Sequence, residues 1–404
     1  MAFLTGINMP GAVLFLHSLP GSKWREILFL PECDRTREFW EGMKLSGFPR
    51  REAARAEKIL GIQKVQCISS LIRYVHILSK QTGKKRQRIG VYWNCRALQK
   101  TEDIQNDHLE FKKFIHSAST GMGVINIEKY QWPMRLLFDQ AAFKNMIKAV
   151  EKTSLAYDAL IQGLSICRYE YQAAALLDNA MKCLSSFGNA FPTIAASGGN
   201  ACILHYEQNS DQLNKNNLLL LDFGIRCGNN VTDVSRTVPL SGRFNPLQRL
   251  LYGIVLDTQK AVSSHVRPGM TTGELDEFCW DTMETLLKKR FFSLNGKCAR
   301  KYTKRPHGVS HFIHICVHDG DLFGGAKKQP LMPGMVISNE PGLYGTFSIT
   351  LNGKKYRETI GIRIEDDLYI TEKGCFNLTG GIPKEIDDVE QNFKKFVQNR
   401  KVKL

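Results

Sequence analysis

The stretch LLLLDFGIRCGNNVTDVSRT, residues 218–237, constrains the fold more than any other part of the sequence. Two apolar runs flank a Gly-Asn-Asn sequence, a pattern typical of a β-hairpin. Asp222 and Asp233 lie equally far from a turn centred between Cys227 and Gly228, so symmetric pairing would place both carboxylates opposite each other on one face. Opposed like charges repel, and a cation would remove the repulsion. The alternative is one aspartate in the turn and one in solvent, so the hairpin alone leaves metal binding open.

Length and composition point to two soluble domains. A chain of 404 residues exceeds what one hydrophobic core usually serves. Short strand and helix patterns give way to long amphipathic helical patterns near Trp132-Pro133. We therefore predict a smaller N-terminal domain at residues 1–133 and a catalytic domain at residues 134–404. No apolar run reaches the roughly 18 residues that a membrane helix requires.

Charge and cysteine usage narrow the possible partners and compartments. The net charge of +16 favours acidic partners such as nucleic acid, but the basic residues are widely spread and no nucleic-acid motif accompanies them. We therefore do not expect nucleic-acid binding to be the main function. The eleven scattered cysteines lack C-x-x-C pairs, and the first twenty residues lack the basic start of a signal peptide. Both observations indicate a cytoplasmic protein with reduced thiols.

The N-terminal segment has the pattern of a small α/β domain. Apolar runs at Ala12–His17 and Glu26–Leu30, separated by a Pro-Gly turn, predict a hairpin. Helical spacing follows at Arg35–Leu45 and Arg51–Ile59, and Ile89–Trp93 is predicted to be a strand.

The C-terminal segment combines paired helices with strands. Helices are predicted from Asp139, over Tyr169–Leu184, from Asn245-Pro246 to before Pro268-Gly269, and over Thr272–Lys289. Strands are predicted at Leu218–Arg226, Val231–Val238, Met335–Asn339 and Gly361–Ile370. Helix pairs around antiparallel strands indicate the α+β class.

Four of the ten histidines lie in HGVSHFIHICVHD, residues 307–319. His307 and His311 have the i, i+4 spacing of zinc ligands on a helix, but Gly308 and the β-branched residues favour loop and strand instead. Alternation would place His314 and His318 on one strand face. We expect at least one of the four histidines to be catalytic.

Two later segments contain carboxylates suited to a site. In PGMVISNEPGLYG, Glu340 ends a strand directly before a stiff Pro-Gly turn. In GIRIEDDLYIT, alternation leaves Arg363, Glu365 and Asp367 on the face opposite the apolar residues. An edge glutamate and a surface strand would produce the same patterns.

The order of these segments resembles the pita-bread metallopeptidases and, among them, aminopeptidase P (Xaa-Pro aminopeptidase). Matching segments occur through nearly the whole chain: FLTGINMP, REFWEGMKL, MRLLFDQAAF, GNACILHY, LLLLDFG, TDVSRT, HGVSH, VHD, EPGLY and GIRIEDD. The resemblance implies a C-terminal pita-bread (creatinase/aminopeptidase-like) domain after a smaller α/β creatinase-like domain. The family carries further residues before FLTGINMP, so we expect either that the true start lies upstream or that the N-terminal domain is shortened.

The resemblance also implies a ligand set for two metal ions. Asp233 and Glu365 would bridge the ions, Asp222 would bind one of them, and His311 and Glu340 the other. Manganese is the first expectation, with cobalt, iron or zinc as alternatives, because four carboxylates and one imidazole make a hard, oxygen-rich site.

Catalytic and substrate-binding roles follow from the same resemblance. His205 matches a histidine near the scissile bond, and His318 one that contacts the substrate carbonyl or the proline-side amide. Arg363 matches an arginine that links the substrate region to the outer ligand shell. His307, Tyr344 and Trp40 match substrate-side positions.

The implied reaction releases the N-terminal residue from peptides with proline second, by attack of a hydroxide that bridges the metals. Glu340 would relay a proton to the leaving amine. Prolidase is the alternative enzyme, methionine aminopeptidase fits less well because it lacks the large N-terminal domain, and a non-catalytic pita-bread binding protein would have lost ligands. The family also implies a homo-oligomer, a dimer or a tetramer.

Overall fold

The chain forms two compact units, Met1–Trp132 and Pro133–Leu404, a division one residue from the predicted boundary. The computed structural model describes residues 12–18, 22–32, 34–42, 44–81, 88–91, 123–126, 128–299, 305–320 and 325–399. The FLTGINMP segment and residues 92–93 of the predicted strand Ile89–Trp93 lie outside these residues.

Among its described residues, the first unit contains a three-stranded sheet, three complete helices and a separate pair of parallel strands. These elements are β1 (Val13–His17), β2 (Arg25–Leu30), α1 (Arg35–Glu41), α2 (Arg50–Leu60), β3 (Lys64–Cys67), α3 (Leu71–Gln81), β4 (Arg88–Val91) and β5 (Gly123–Asn126). Strand β2 pairs antiparallel with β1, as the predicted hairpin requires, and parallel with β3.

Strand β2 lies at the centre of this unit and is buried on both faces. Leu28 and Leu30 belong to one apolar cluster with alanines of α2, whereas Ile27 and Phe29 pack with residues of α3. A strand with helices on both faces is typical of α/β packing, in agreement with the expectation for this segment.

From residue 128 onward, groups of helices are separated by groups of antiparallel strands. The helices are α4 (Glu128–Arg135), α5 (Gln140–Gly163), α6 (Glu170–Leu184), α7 (Pro246–His265), α8 (Thr272–Arg290) and α9 (Ile386–Asn399). The strands are β6 (Ile194–Ser197), β7 (Leu218–Phe223), β8 (Arg226–Cys227), β9 (Asn230–Val231), β10 (Val234–Pro239), β11 (Lys297–Ala299), β12 (Val336–Asn339), β13 (Gly342–Leu351), β14 (Lys354–Arg363), β15 (Asp366–Ile370) and β16 (Cys375–Asn377).

Three sheets of three strands each organise the described part of the second unit. Their strand orders are β10-β7-β6, β11-β13-β14 and β12-β15-β16, with β8 and β9 as a short additional pair. Helix α5 packs against α6, and α7 packs against α8. Paired helices beside antiparallel sheets confirm the predicted α+β class.

The predicted helix starts are confirmed by their caps. The Asp139 carboxylate accepts a hydrogen bond from the Ala142 amide at 2.7 Å, at the start of α5. Asn245 and Gln248 form a reciprocal capping box at the start of α7, and Pro246 occupies its first turn. None of the helices among the described residues has the length and apolarity needed to cross a membrane.

The hairpin at 218–237 forms, but its predicted register is wrong by one residue at the turn. Cys227 pairs with Asn230, so the two-residue loop is Gly228-Asn229, and Asp222 lies opposite Ser235. Gly228 has a φ of 61°, which the first loop position of this hairpin turn requires and glycine adopts without strain. Asp233 therefore lies diagonal to Asp222, two residues before its partner.

The strand predicted at Gly361–Ile370 is in fact two strands in different sheets. Strand β14 pairs with β13 and ends at Arg363, whereas β15 begins at Asp366 and pairs with β12. Between them the Glu365 amide donates to the Ser235 carbonyl at 3.0 Å instead of continuing either sheet. Glu365 therefore lies where three sheets meet.

Candidate metal centre

Three buried carboxylates converge at the junction of the sheets. Asp222 lies near the end of β7, Asp233 directly before β10, and Glu365 in the break between β14 and β15. One carboxylate oxygen from each lies within 4.8 Å of the others. The three residues are 9%, 4% and 2% exposed, respectively.

His311 and Glu340 complete a second group that shares Glu365 with the first. Ligand atoms of His311, Glu340 and Glu365 also lie within 4.8 Å of one another. The His311 Nε2 atom is 3.3 Å from a Glu340 oxygen and 3.5 Å from an Asp233 oxygen. The amide of His311 donates to the Ser338 hydroxyl, which holds this segment beside β12. The structure thus brings together all five predicted ligands.

The buried carboxylates of this cluster repel one another, and a bound cation would remove that repulsion. Burial raises the pKa of Asp233 and of Glu365 well above the usual range, and the surrounding carboxylates raise both further. Asp222 Oδ1 and Glu365 Oε1 are buried and have no hydrogen-bond partner among the described residues. Buried carboxylate oxygens are normally paired or bound to metal. Four carboxylates and an imidazole therefore fit hard divalent cations.

Arg363 connects the carboxylates to the neighbouring polar residues. Its guanidinium is buried and donates to Asp222 Oδ2 at 2.6 Å, to the Ser235 hydroxyl at 2.8 Å and to the Tyr344 hydroxyl at 3.3 Å. Ser235 in turn donates to Glu365 Oε2 at 2.8 Å. Arg363 therefore orients Asp222 in the first strand of the hairpin, and Ser235 orients Glu365 in the β14–β15 break.

Sequence reasoning missed two residues of this outer layer, Ser235 and Asp276, whereas alternation along residues 361–371 already placed Asp367 on the polar face with Glu365. The Asp276 carboxylate accepts from the Val309 amide at 2.7 Å, and Asp367 from the Asp233 amide at 3.3 Å. Ser235 had a detectable signal, since the true hairpin register places it opposite Asp222.

His205 and His318 are exposed residues in two loops beside the cluster. The His318 ring is 4.2 Å from the His311 ring and 6.4 Å from the His205 ring, measured between centroids. His318 also forms a possible ligand group with Asp233 and His311. Both loop histidines therefore face the same region above the carboxylates.

His307 lies deeper, beside Tyr344 and Glu340. Its Nε2 atom is 3.0 Å from the Tyr344 hydroxyl, and its Nδ1 atom is 3.9 Å from a Glu340 oxygen. Burial lowers the pKa of His307 to about 4, so its imidazole is neutral at pH 7. A neutral imidazole can both donate and accept a hydrogen bond here.

The predicted shared strand face of His314 and His318 is wrong. Residues 314–318 form bends instead of a strand, and the Arg226 guanidinium donates to the Ile315 carbonyl in this segment. His314 is buried against Phe138, with 4.2 Å between ring centroids, whereas His318 is exposed. Trp40 belongs to α1 of the first unit, where it is 79% exposed and packs edge-on against Phe39. Its substrate role stays a prediction.

Comparisons with known proteins agree with this geometry. The model of metallopeptidase family M24 matches residues 144–372, and the model of the aminopeptidase P N-terminal domain matches residues 1–86. The chain is 29% identical over 399 residues to Xaa-Pro aminopeptidase of Escherichia coli, covering 96% of this chain and 86% of that protein. It is also 29% identical over 402 residues to the mitochondrial intermediate cleaving peptidase 55 of Arabidopsis thaliana, covering 96% and 73%.

Solved structures extend the similarity to the fold. Proline aminopeptidase P II from Yersinia pestis matches with a TM-score of 0.76 and 27% identity, over 98% of this chain and 89% of that chain. A zinc-substituted Escherichia coli aminopeptidase P in complex with product matches with a TM-score of 0.75 and 26% identity, over 98% and 88%. These matches confirm the predicted pita-bread fold.

Proposed function

Because the chain belongs to metallopeptidase family M24, we propose that it is a Xaa-Pro aminopeptidase that uses two divalent metal ions. It releases the N-terminal residue from peptides that have proline in second position. The observation that carries this proposal is the convergence of five ligand residues in two groups that share Glu365. Xaa-Pro aminopeptidases among its relatives favour this activity over that of prolidase.

The two ligand groups support an assignment of each residue to one or both of the ions. Asp233 and Glu365 would bridge the ions, since each lies within reach of both groups. Asp222 would bind the ion on the hairpin side, and His311 with Glu340 the other. We propose Mn²⁺ as the resident ion, with Co²⁺, Fe²⁺ or Zn²⁺ as alternatives for the same donors. When bound, such ions supply Lewis acidity, which lowers the pKa of a water and polarises the scissile carbonyl.

The remaining residues would orient the peptide and move its protons. His318 would donate to the carbonyl oxygen as negative charge develops there. Glu340 has a partly exposed side chain beside His311. It would therefore accept a proton from the attacking water and deliver it to the leaving amine. His205 would hold the peptide near the scissile bond, while His307 and Tyr344 would form the polar wall of the cleft.

An activity assay with chelator and metal tests this function. Purified protein is treated with EDTA, reloaded with Mn²⁺ and offered matched Xaa-Pro-Xaa, Xaa-Pro and Xaa-Ala-Xaa peptides. We expect metal-dependent cleavage of the Xaa-Pro-Xaa peptide and loss of that cleavage in Asp233→Ala. Cleavage of the dipeptide alone would indicate prolidase, and preference for the alanine peptide would contradict proline specificity. Equal activity of wild type and Asp233→Ala would refute the site.

The compartment and assembly are parts of the same proposal. We propose a cytoplasmic homo-oligomer, a dimer or a tetramer, without nucleic acid or membrane as its main partner. The cysteines among the described residues are free thiols, which suits a reducing compartment. Fractionation that separates cytosol from mitochondria tests the compartment, and light scattering on the eluted peak of a sizing column gives the assembly.

A further inference from the structure

The loop that contains His205 rests on a buried carboxylate that the proposed mechanism does not use. This loop joins β6 to β7 and consists of residues 198–217. Glu170, in the first turn of α6, lies against it and is 0% exposed. A carboxylate in such a position is costly unless donors surround it.

Hydrogen bonds to Glu170 reach both sides of His205 in the sequence. Its Oε1 accepts from the Ser197 amide at 2.6 Å and from Asn200 Nδ2 at 3.1 Å. Its Oε2 accepts from the Tyr206 hydroxyl and the Asp211 amide, both at 2.9 Å, and from Asn200 Nδ2 at 3.3 Å. All of these partners donate, and a carboxylate is the side chain that only accepts.

We propose that Glu170 is a positioning residue for His205. It bonds the chain five residues before the histidine and one residue after it, so the loop keeps few conformations and presents the imidazole beside His318. This inference rests on the proposed peptidase function, because it concerns how substrate meets the metal centre. Because the same bonds also stabilise the fold, the experiment below measures positioning and stability separately.

Glutamine at position 170 is the sharpest perturbation. It keeps the size of glutamate but directs an NH₂ group at partners that are themselves donors, and two of these are backbone amides that cannot accept. Asp178→Asn is the matched control, because Asp178 lies on the same helix and accepts from Asn189 and Thr193 outside the His205 loop.

The test combines a double-mutant cycle with a readout that needs no turnover. Wild type, Glu170→Gln, His205→Ala and the double variant are compared for kcat/KM on an Xaa-Pro-Xaa peptide and for bound metal per chain. Amide hydrogen exchange is followed in the peptides covering 198–211. We expect Glu170→Gln to lower kcat/KM on the order of tenfold or more, and to change it less than about twofold once His205 is absent.

The accompanying measurements separate positioning from general damage. Metal content should remain unchanged, and exchange should accelerate in 198–211 but not in β12; Asp178→Asn should leave kcat/KM and this exchange unchanged. Additive losses in the cycle, loss of metal or unchanged exchange would overturn the proposal. If the wild type cleaves no Xaa-Pro peptide, the proposed function fails, whereas faster exchange confined to 198–211 would still support the positioning of the loop.

Discussion

Replacing Ser235 by alanine should weaken metal binding without removing a ligand. The Ser235 hydroxyl donates to Glu365 Oε2 at 2.8 Å and accepts from the Arg363 guanidinium at 2.8 Å. Serine to alanine deletes one oxygen at a fully buried position and leaves the backbone unchanged. The variant therefore keeps the Glu365 carboxylate and removes only the hydrogen bond from Ser235 that orients it.

Two independent estimates give the size of this effect. A hydrogen bond to a charged group contributes about 1.5–3 kcal/mol, which corresponds to roughly 10- to 150-fold in affinity. Outer-layer partners of metal ligands, when mutated, typically cost about 10- to 100-fold in metal affinity or activity. We therefore expect the dissociation constant for Mn²⁺ to rise by about 10- to 100-fold in Ser235→Ala.

The assay is a competition titration of Mn²⁺ against a chelating dye, with peptide cleavage measured at saturating metal. Thr237→Val is the matched control: Thr237 lies two residues further along β10 and is equally buried. Among the described residues, its hydroxyl bonds to the backbone of Arg363 and to no metal ligand. We expect it to lose stability but keep the metal affinity of the wild type.

The opposite pattern would refute the reasoning. If Ser235→Ala and Thr237→Val bind Mn²⁺ with the affinity of the wild type, then Glu365 does not depend on Ser235 for its orientation. If both variants lose affinity equally, the loss comes from general loosening of β10.

Three further predictions concern stability. Saturating Mn²⁺ at about 100 times its dissociation constant should raise the free energy of unfolding by roughly 2.7 kcal/mol, measured by urea denaturation with and without EDTA; no change would argue against binding to the folded state. Burial lowers the pKa of His314 to about 4, so the stability due to its neutral form is present above the unfolded pKa of about 6.5 and is lost as the pH falls toward 4. Between pH 7.5 and pH 5, the free energy of unfolding of the metal-free wild type should therefore fall by about 2 kcal/mol more than that of metal-free His314→Gln, measured by urea denaturation. Equal decreases in the two proteins would contradict a buried, neutral His314. A Cβ on Gly361 would lie 2.1 Å from the Ala201 carbonyl oxygen, so Gly361→Ala should cost about 1–3 kcal/mol, while Gly381→Ala, with open space around it, should cost less than that.

The fold was predictable where local chemistry decides it. The caps at Asp139 and Asn245 fixed the helix starts, because each supplies an oxygen to an unpaired amide. The Asn352-Gly353 turn was an equally clear signal that the strand predictions omitted, and it joins β13 to β14 with positive φ angles at both residues. The break after Arg363 was not predictable from alternation, because it depends on which sheet each half can pair with.

The sequence predicted which residues form the site better than it predicted how they are arranged in space. Sequence spacing nominated His307 as readily as His311, and only the fold places the His311 ring between Asp233 and Glu340. The turn position was misplaced by one residue, which turned an opposed pair of aspartates into a diagonal one. Outer residues such as Asp276 and Glu170 bond to backbone amides of distant loops, and such contacts leave no periodic trace in the sequence.

The meeting of three sheets at Glu365 has a consequence for how long the protein survives in a cell. Without cations, this junction holds buried carboxylates that raise one another's pKa, so local opening there should cost less free energy than it does with the cations bound. Proteases and chaperones act on such opened states, and abundance follows their population. Cells short of the resident ion should therefore hold less of this protein at unchanged synthesis, which would make its steady-state level a report on metal supply.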